Sequence, residues 1–233
     1  MGDPVRVGLV DTGLDSAGAG RVGEALLASR GFAWDDANAT VTGIESAPDT
    51  LGHGSALATT VIATVPEVQL LMAQVFFGHW RTRPAQVAAA IDWLCASGAQ
   101  VINLSLGLRA DRPVLQQACA NALASGVILV ASSPARGEAV FPAAYAGVIR
   151  ATGDARCDST QVSWLATAQA DVGGHVTAVG GAVAGASAGA AYISGHIARY
   201  LQDNRAAGRE QVLKHLRDCA SYRGPERRGG RPT

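Results

Sequence analysis

The chain has 233 residues, of which 48% are hydrophobic and 28 are glycine. That composition is typical of one well-buried α/β domain with many tight turns. Nineteen basic and nineteen acidic residues give a formal net charge of zero. This balance argues against nucleic acid or an anionic membrane as the main partner. No stretch of the sequence approaches the roughly 20 apolar residues that a membrane span needs.

The N-terminal residues lack the pattern of a secretory signal peptide. Arg6 interrupts an apolar run over residues 5–10, and no small-residue cleavage site follows. We therefore expect the mature fold to start almost at Met1. Free thiols in a reducing cytoplasm are the simplest interpretation of the cysteines, with disulfides as the alternative. The four cysteines form no CxxC motif or Cys/His pair that would predict a metal site. They are Cys95, Cys119, Cys157 and Cys219.

Short apolar runs alternate along the chain with helix-like stretches. The runs that predict strands are residues 5–10, 68–74, 101–106, 127–131 and 148–151. The stretches that predict helices are residues 52–64, 84–97, 113–125, 185–201 and 210–219. Such alternation implies right-handed βαβ crossovers, and therefore a mostly parallel central sheet with helices on both faces. Continuous apolar strands fit a sheet that is buried on both sides.

Two regions depart from this alternation. Residues 161–165 and 175–179 form two short runs around Gly173 and Gly174, which predicts a hairpin-like excursion. The basic tail over residues 223–233 is rich in Gly, Pro and Arg, and we expect it to be disordered. The sequence thus predicts one domain over residues 1–222, followed by this tail.

Three short motifs carry the candidate chemistry, and each also has a purely structural interpretation. Asp11 ends an apolar run in an Asp-Thr-Gly turn, where aspartate is often only a turn residue. His53 lies between glycines at a predicted helix start, where it is either an accessible imidazole or a solvated or capping histidine. Ser187 opens another predicted helix among small residues. It is either an N-cap or an accessible hydroxyl beside backbone N–H groups that can stabilise an oxyanion.

The remaining histidines lack such a setting. We interpret them as structural or surface residues; they are His79, His175, His196 and His215.

The three motifs together are far more specific than any one of them. Their order Asp, His, Ser is one of three known for serine-protease triads, and with it the chain resembles the subtilase family. Asp-Thr-Gly, His-Gly-Ser and Gly-Ala-Ser-Ala-Gly are similar to that family's D-T-G, H-G-T and G-T-S-M-A motifs. Residues 103–107, Asn-Leu-Ser-Leu-Gly, resemble its substrate-binding strand, and residues 141–145, Phe-Pro-Ala-Ala-Tyr, resemble its Y-P-A-x-Y turn. The resemblance covers residues 5–201 and implies a three-layer subtilisin-like α/β fold.

The resemblance also implies a catalytic triad. Ser187 Oγ would attack the scissile carbonyl, and His53 would take its proton and later give it to the leaving amine. Asp11 would hold the imidazole tautomer and stabilise the imidazolium. This chemistry requires neither a metal nor an organic cofactor, so none is predicted.

The clearest departure from the family concerns the oxyanion hole. The family's oxyanion asparagine belongs to a V-A-A-A-G-N-x-G block, and the corresponding residues 130–137 place Ala135 at its position. Besides the backbone N–H of Ser187, the candidate donors are the side chains of Ser132, Ser133 and Arg136.

The same resemblance predicts where substrate binds. The primary specificity pocket should lie between two segments: Ser105, Leu106 and Gly107 on one side, and Ser132, Ser133 and Pro134 on the other.

Two functions remain open at this point. The first is a cytoplasmic serine endopeptidase that removes a leader or propeptide from a specific peptide or protein substrate, such as a modified precursor peptide. The absence of a recognisable signal, pro-segment or acidic calcium loop favours it, because compact intracellular subtilases resemble leader peptidases encoded beside peptide-modifying enzymes. The alternative is a pseudoprotease, a peptide-binding module with weak or no catalysis for want of the oxyanion asparagine. Substrate identity, cleavage site and oligomeric state are left open by the sequence.

Overall fold

A ten-stranded sheet forms the centre of the part of the chain that the computed structural model describes, residues 3–226. The strand order is β3-β2-β4-β1-β5-β6-β7-β9-β8-β10. Strands β2, β4, β1, β5, β6, β7 and β9 are parallel, whereas β3 and β8 are antiparallel to the neighbours β2 and β9. The strands are β1 Arg6–Asp11, β2 Leu26–Asp35, β3 Thr40–Ile44, β4 Gln69–Gln74, β5 Val101–Leu104, β6 Ile128–Ser132, β7 Ile149–Asp154, β8 Ser163–Trp164, β9 Val172–His175 and β10 Tyr222–Arg223.

Helices cover both faces of this sheet. They are α1 Ser16–Val22, α2 His53–Thr64, α3 Pro84–Ala96, α4 Pro113–Ala124, α5 Ala186–Asp203 and α6 Arg209–Asp218. Along β1, Val7 and Leu9 join the core under α2, α5 and α6, while Val10 joins the core under α3 and α4. Both sides of the central strands are therefore buried, which confirms the predicted three-layer α/β fold with a mostly parallel sheet. Within residues 3–226, no helix has the length and apolar composition that crossing a membrane requires.

The predicted helices agree with the observed ones to within two residues at each end. The main omission is the region between β1 and α2, where α1 and the β2–β3 hairpin were not predicted. This hairpin lies at the sheet edge, and β3 is almost entirely exposed. Its strands therefore lack the continuous apolar run that marks a buried parallel strand.

The predicted hairpin near residue 170 exists as β8 and β9, but its glycines serve another purpose. Gly173 and Gly174 lie inside β9 rather than in the turn. A Cβ on Gly174 would lie 2.8 Å from the carbonyl oxygen of Gly189. Glycine is needed here because β9 passes directly beneath α5, so placing these residues in a turn was wrong.

A short strand spans the predicted C-terminal boundary. Tyr222 and Arg223 pair with Ser163 and Trp164 as β10, so a strand crosses the boundary placed at residue 222. Residues 227–233 of the predicted disordered tail lie outside the described residues.

At two glycines, helix α5 approaches its neighbours too closely for a side chain to fit. A Cβ at Gly189 would overlap the backbone carbonyl of Thr152 at the end of β7. At Gly195, a Cβ would lie 2.6 Å from Cβ of Thr64 on α2. These two glycines set how deeply α5, which carries Ser187, sits between the sheet and α2.

This packing yields a stability prediction. We expect Gly189→Ala to lower the free energy of unfolding by roughly 1–3 kcal/mol, because the added methyl group meets backbone that cannot rotate away. The matched control is Gly20→Ala on α1, where a Cβ meets nothing within 4 Å. That change should be neutral or stabilising by up to about 1 kcal/mol. Urea unfolding of both variants measures the difference; equal stability of the two would contradict the close-approach interpretation.

Candidate active site

Asp11 ends the central strand β1 and is almost completely buried, with 1% of its surface exposed. Its Oδ1 atom accepts a hydrogen bond from the backbone N–H of Thr12 at 2.8 Å and lies 2.7 Å from Nδ1 of His53. Its Oδ2 atom is buried without a hydrogen-bond partner among residues 3–226. The carboxylate is therefore directed at the imidazole by the backbone of its own turn.

His53 is the first residue of α2, and the flanking glycine allows the helix to begin against the Asp11 turn. The N–H of Gly54 donates to Thr12 Oγ1 at 2.7 Å. A Cβ on Gly54 would overlap the carbonyl oxygen of Gly13. Any other residue at position 54 would push the helix start, and the imidazole with it, away from Asp11.

An exposed tryptophan lies against the imidazole. The Trp80 ring meets the His53 ring edge-on, with centroids 5.4 Å apart, and is 5.9 Å from Phe76. Trp80 is 60% exposed, although the His53 side chain is only 13% exposed. Trp80 was not predicted as a site residue; the signal for it was a tryptophan in a Gly/Arg-rich loop.

Two opposing effects act on the pKa of His53. Burial acts to lower it, while the hydrogen bond to Asp11 and the negative charges of Asp11 and Asp49 act to raise it. The second group of effects prevails, so the pKa of His53 lies above its ordinary value. The imidazolium form, which a general base must pass through, is stabilised by the site.

Ser187 lies in the first turn of α5, at the same carboxyl edge of the sheet as Asp11. Its carbonyl oxygen accepts a hydrogen bond of 3.5 Å from Ser105 Oγ, which in turn accepts one of 2.8 Å from Asn103 Nδ2. Val10 pairs with Leu104, so Ser105 is the neighbour of Asp11 across β1 and β5. Ser187 is half-buried, and its hydroxyl makes no hydrogen bond within residues 3–226. The structure thus joins Asp11 to His53 directly and brings Ser187 to the same edge; the pairing of His53 with Ser187 stays a prediction.

The candidate oxyanion donors differ in their contacts. Ser133 Oγ donates to the carbonyl of Gln169 at 2.6 Å, so its proton is already engaged. Ser132, at the end of β6, is 8% exposed, and its hydroxyl has no hydrogen-bond partner in the described chain. Ala135 and Arg136 are exposed. The geometry argues against Ser133 as the donor and favours Ser132.

The predicted substrate-binding segments end neighbouring strands. Leu104 pairs with Ala131, so Ser105 and Ser132 lie side by side at the edge of the sheet. Ser105, Leu106 and Gly107 face a cleft of about 1020 Å³ that Trp80 and Phe76 also line. Ser133 faces a separate cavity of about 540 Å³, and Pro134 lines neither of the two.

The other histidines lie elsewhere in the fold. His175 Nδ1 is 2.7 Å from the carbonyl oxygen of Cys157, and His215 stacks on Tyr200 with centroids 4.1 Å apart. His196 is half-buried on α5, and desolvation of its ring lowers its pKa to about 4. His79 is exposed on the loop that carries Trp80.

Comparison with known proteins identifies the family. The family model described as "Subtilase family" matches residues 2–230, and the chain belongs to that family. It is 26% identical over 246 aligned residues to subtilisin BL of Lederbergia lenta, an alignment that covers 96% of this chain and 86% of that protein. It is 31% identical over 159 residues to alkaline elastase YaB of Bacillus sp. (strain YaB), covering 64% of this chain but only 39% of that protein.

A third relative and two solved structures extend the comparison. The major intracellular serine protease of Bacillus subtilis (strain 168) is 27% identical over 165 residues, which cover 64% of this chain and 50% of that protein. An S41 psychrophilic protease superposes with a TM-score of 0.69 at 17% identity, over 92% of this chain and 82% of that one. A lanthipeptide protease superposes with a TM-score of 0.65 at 17% identity, over 90% and 78%. At these identities the structures support the fold alone.

The raised pKa of His53 predicts a pH dependence. A general base works as the neutral imidazole, so kcat/KM should be lost as pH falls through the pKa of His53. Because that pKa is raised, the midpoint should lie above the ordinary histidine value of about 6.5. Asp11→Asn should lower kcat by about 10⁴ through loss of the correct tautomer. Hydrolysis of a chromogenic ester followed from about pH 5 to 9 checks this; a flat profile would contradict it.

The oxyanion geometry predicts a difference between two adjacent serines. We expect Ser132→Ala to lower kcat about tenfold or more with little change in KM, as for a contact made only in the transition state. Ser133→Ala is the matched control. It should affect stability through the lost bond to Gln169 and leave kcat nearly unchanged.

Ala135→Asn completes the experiment. If Ser132 serves the hole, restoring an asparagine should give little gain. A rise in kcat of about 10², with Ser132→Ala unaffected, would instead show that no side chain replaces the missing donor.

Proposed function

We propose that this chain is a serine endopeptidase in which Asp11, His53 and Ser187 act as the catalytic triad. The observation that carries the proposal is the buried carboxylate–imidazole pair, with Asp11 Oδ1 2.7 Å from His53 Nδ1. Ser187 lies half-buried in the first turn of α5, at the same edge of the sheet, where we propose that it is the nucleophile. Homology to subtilisins supports the same activity.

The pair also favours an active enzyme over a peptide-binding pseudoprotease. Asp11 is 1% exposed and has one oxygen without a partner in the described residues. A buried carboxylate in that state costs stability unless a cation forms beside it. In an enzyme, protonation of His53 during catalysis supplies that cation. In a protein that only binds peptides, the buried carboxylate would lower stability and have no catalytic role.

The proposed binding site for substrate residues is a cleft lined by Trp80, whose ring contacts His53. It has a volume of about 1020 Å³ and extends from the loop carrying Trp80 to the segment Ser105–Gly107. The exposed indole of Trp80 is apolar surface that an extended peptide would cover. We propose that the substrate peptide attacked by Ser187 lies along this cleft, against Trp80.

The narrower proposal is that the substrate is a specific leader or propeptide, cleaved in the cytoplasm. The relative named as an intracellular serine protease supports that compartment. The protease of quinohemoprotein amine dehydrogenase maturation is one such processing enzyme, and we keep it as a hypothesis for this chain. Peptide or protein remains the proposed partner class, without nucleic acid or membrane.

A fluorophosphonate tests the central proposal, because it reacts with an activated serine and needs no knowledge of the substrate. We expect modification at Ser187 and at no other serine, located by mass spectrometry of the labelled chain. The control is Ser187→Ala, which should abolish labelling. Intact wild-type protein that takes no label would instead favour the pseudoprotease, and label that persists in Ser187→Ala would place the nucleophile elsewhere.

A further inference from the structure

Asp49 is a buried acid four residues before His53, with 5% of its surface exposed. Its Oδ1 atom accepts hydrogen bonds from the backbone N–H of Leu51 at 3.0 Å and of Gly52 at 2.8 Å. Its Oδ2 atom accepts from the N–H of Ser55 at 3.1 Å and from Ser55 Oγ at 3.0 Å. Within residues 3–226 no salt bridge reaches this carboxylate. Its charge is therefore held by backbone and hydroxyl donors alone.

All of these donors belong to the first turn of α2 or to the residues that enter it. Gly52, the residue before the helix, provides no side-chain cap, so Asp49 satisfies helix N–H groups that would otherwise lack partners. The network extends to the strand side of the site, because the N–H of Asp49 donates to the carbonyl of Leu14 and Ser55 Oγ accepts from the N–H of Asp15.

His53 lies inside this network. Asp49 holds Gly52 and Ser55 on either side of it, and Thr12 holds Gly54. The direction in which the imidazole leaves the helix is therefore fixed from both sides, by groups that do not themselves touch the ring.

We propose that Asp49 is a positioning residue of the active site. It fixes the start of α2 so that the His53 ring meets Asp11, and it places a second negative charge where the imidazolium forms. This inference rests on the proposed role of His53 as general base.

The proposed effect of the Asp49 charge on the imidazolium can be tested, because the charged groups around the His53 ring are known. Asp11 faces His53 from β1 and Asp49 from the loop before α2, and the negative charges of both raise the pKa of His53 against the opposing effect of burial. His79 and Arg81 flank Trp80 on the loop that packs against the ring. Removing the charge of Asp49 alone should lower the pKa of His53.

The experiment is Asp49→Asn in the full chain, with the rate of fluorophosphonate modification of Ser187 measured across pH. We expect the limiting rate to fall about ten- to a hundredfold, because a small misplacement of the base is enough to cost that much. We also expect the midpoint of the profile to shift to lower pH. A purely structural role would lower the rate without moving the midpoint.

Two controls separate geometry from charge. Asp15→Asn removes a nearby carboxylate that caps α1 and should leave both the rate and the midpoint unchanged. Ser55→Ala removes the two hydrogen bonds of the Ser55 hydroxyl, to Asp49 and from the Asp15 N–H, but keeps the charge of Asp49. It should therefore slow the reaction severalfold with the midpoint unmoved. If Asp49→Asn does not fold, Ser55→Ala reacting at the wild-type rate would overturn the positioning role.

An independent readout distinguishes failure of this inference from failure of the proposed function. NMR titration of the His53 ring in wild type and Asp49→Asn follows its pKa without any reaction. A wild-type protein that takes no label, with a lowered His53 pKa in Asp49→Asn, would overturn the proposed protease function but support the effect of the Asp49 charge on His53. A wild-type protein that labels, with an unchanged His53 pKa and rate in Asp49→Asn, would overturn the inference.

Discussion

The hydrogen bond between Asp11 and His53 constrains the whole carboxyl edge of the sheet. It joins the end of a central strand to a helix that begins 42 residues later. Neither partner can move far, because β1 is paired on both sides with β4 and β5. A carboxylate this deeply buried requires partners. Among residues 3–226 its partners are the Thr12 N–H and the imidazole, so the same contact serves folding and the proposed chemistry.

The contacts around this bond explain how its geometry is kept. Gln74, at the end of β4, donates through its amide to the carbonyl of Thr12 at 2.8 Å and accepts from the N–H of Ala47 at 2.8 Å. It thereby ties the Asp11 turn to the loop that leads toward His53. On the serine side, Gly189 allows α5 to touch the carbonyl of Thr152. Hydrogen bonds fix the base, whereas direct backbone packing fixes the helix that carries the proposed nucleophile.

These contacts also mark the limit of what the sequence could predict. The alternation of apolar runs and helical stretches was sufficient for the three-layer fold, because burial on both faces leaves a local pattern. The order of three motifs pointed to Asp11, His53 and Ser187; the structure joins the first two, and the role of Ser187 stays a prediction. The β2–β3 hairpin was missed because half-exposed edge strands leave no such pattern. The choice between Ser132 and Ser133 depends on a carbonyl at Gln169, 36 residues away, and no local rule contains that contact.

The surroundings of the proposed base, His53, and of the predicted oxyanion position differ in how many hydrogen bonds hold them. Around the base, Asp11, Thr12, Asp49 and Gln74 form a connected buried network, and the edge of the Trp80 ring covers the imidazole. At the predicted oxyanion position, Ala135 is exposed and has no side-chain donor, and Ser132 is the candidate substitute. Proton transfer depends on the surroundings of the base, and stabilisation of the tetrahedral intermediate depends on those of the oxyanion position. A weakness at the oxyanion position alone would lower the turnover rate and leave the pH dependence of the base intact. Under the proposed function, slow turnover with a normal pH dependence would therefore point to the oxyanion hole, because Asp11 and His53 already lie in direct contact.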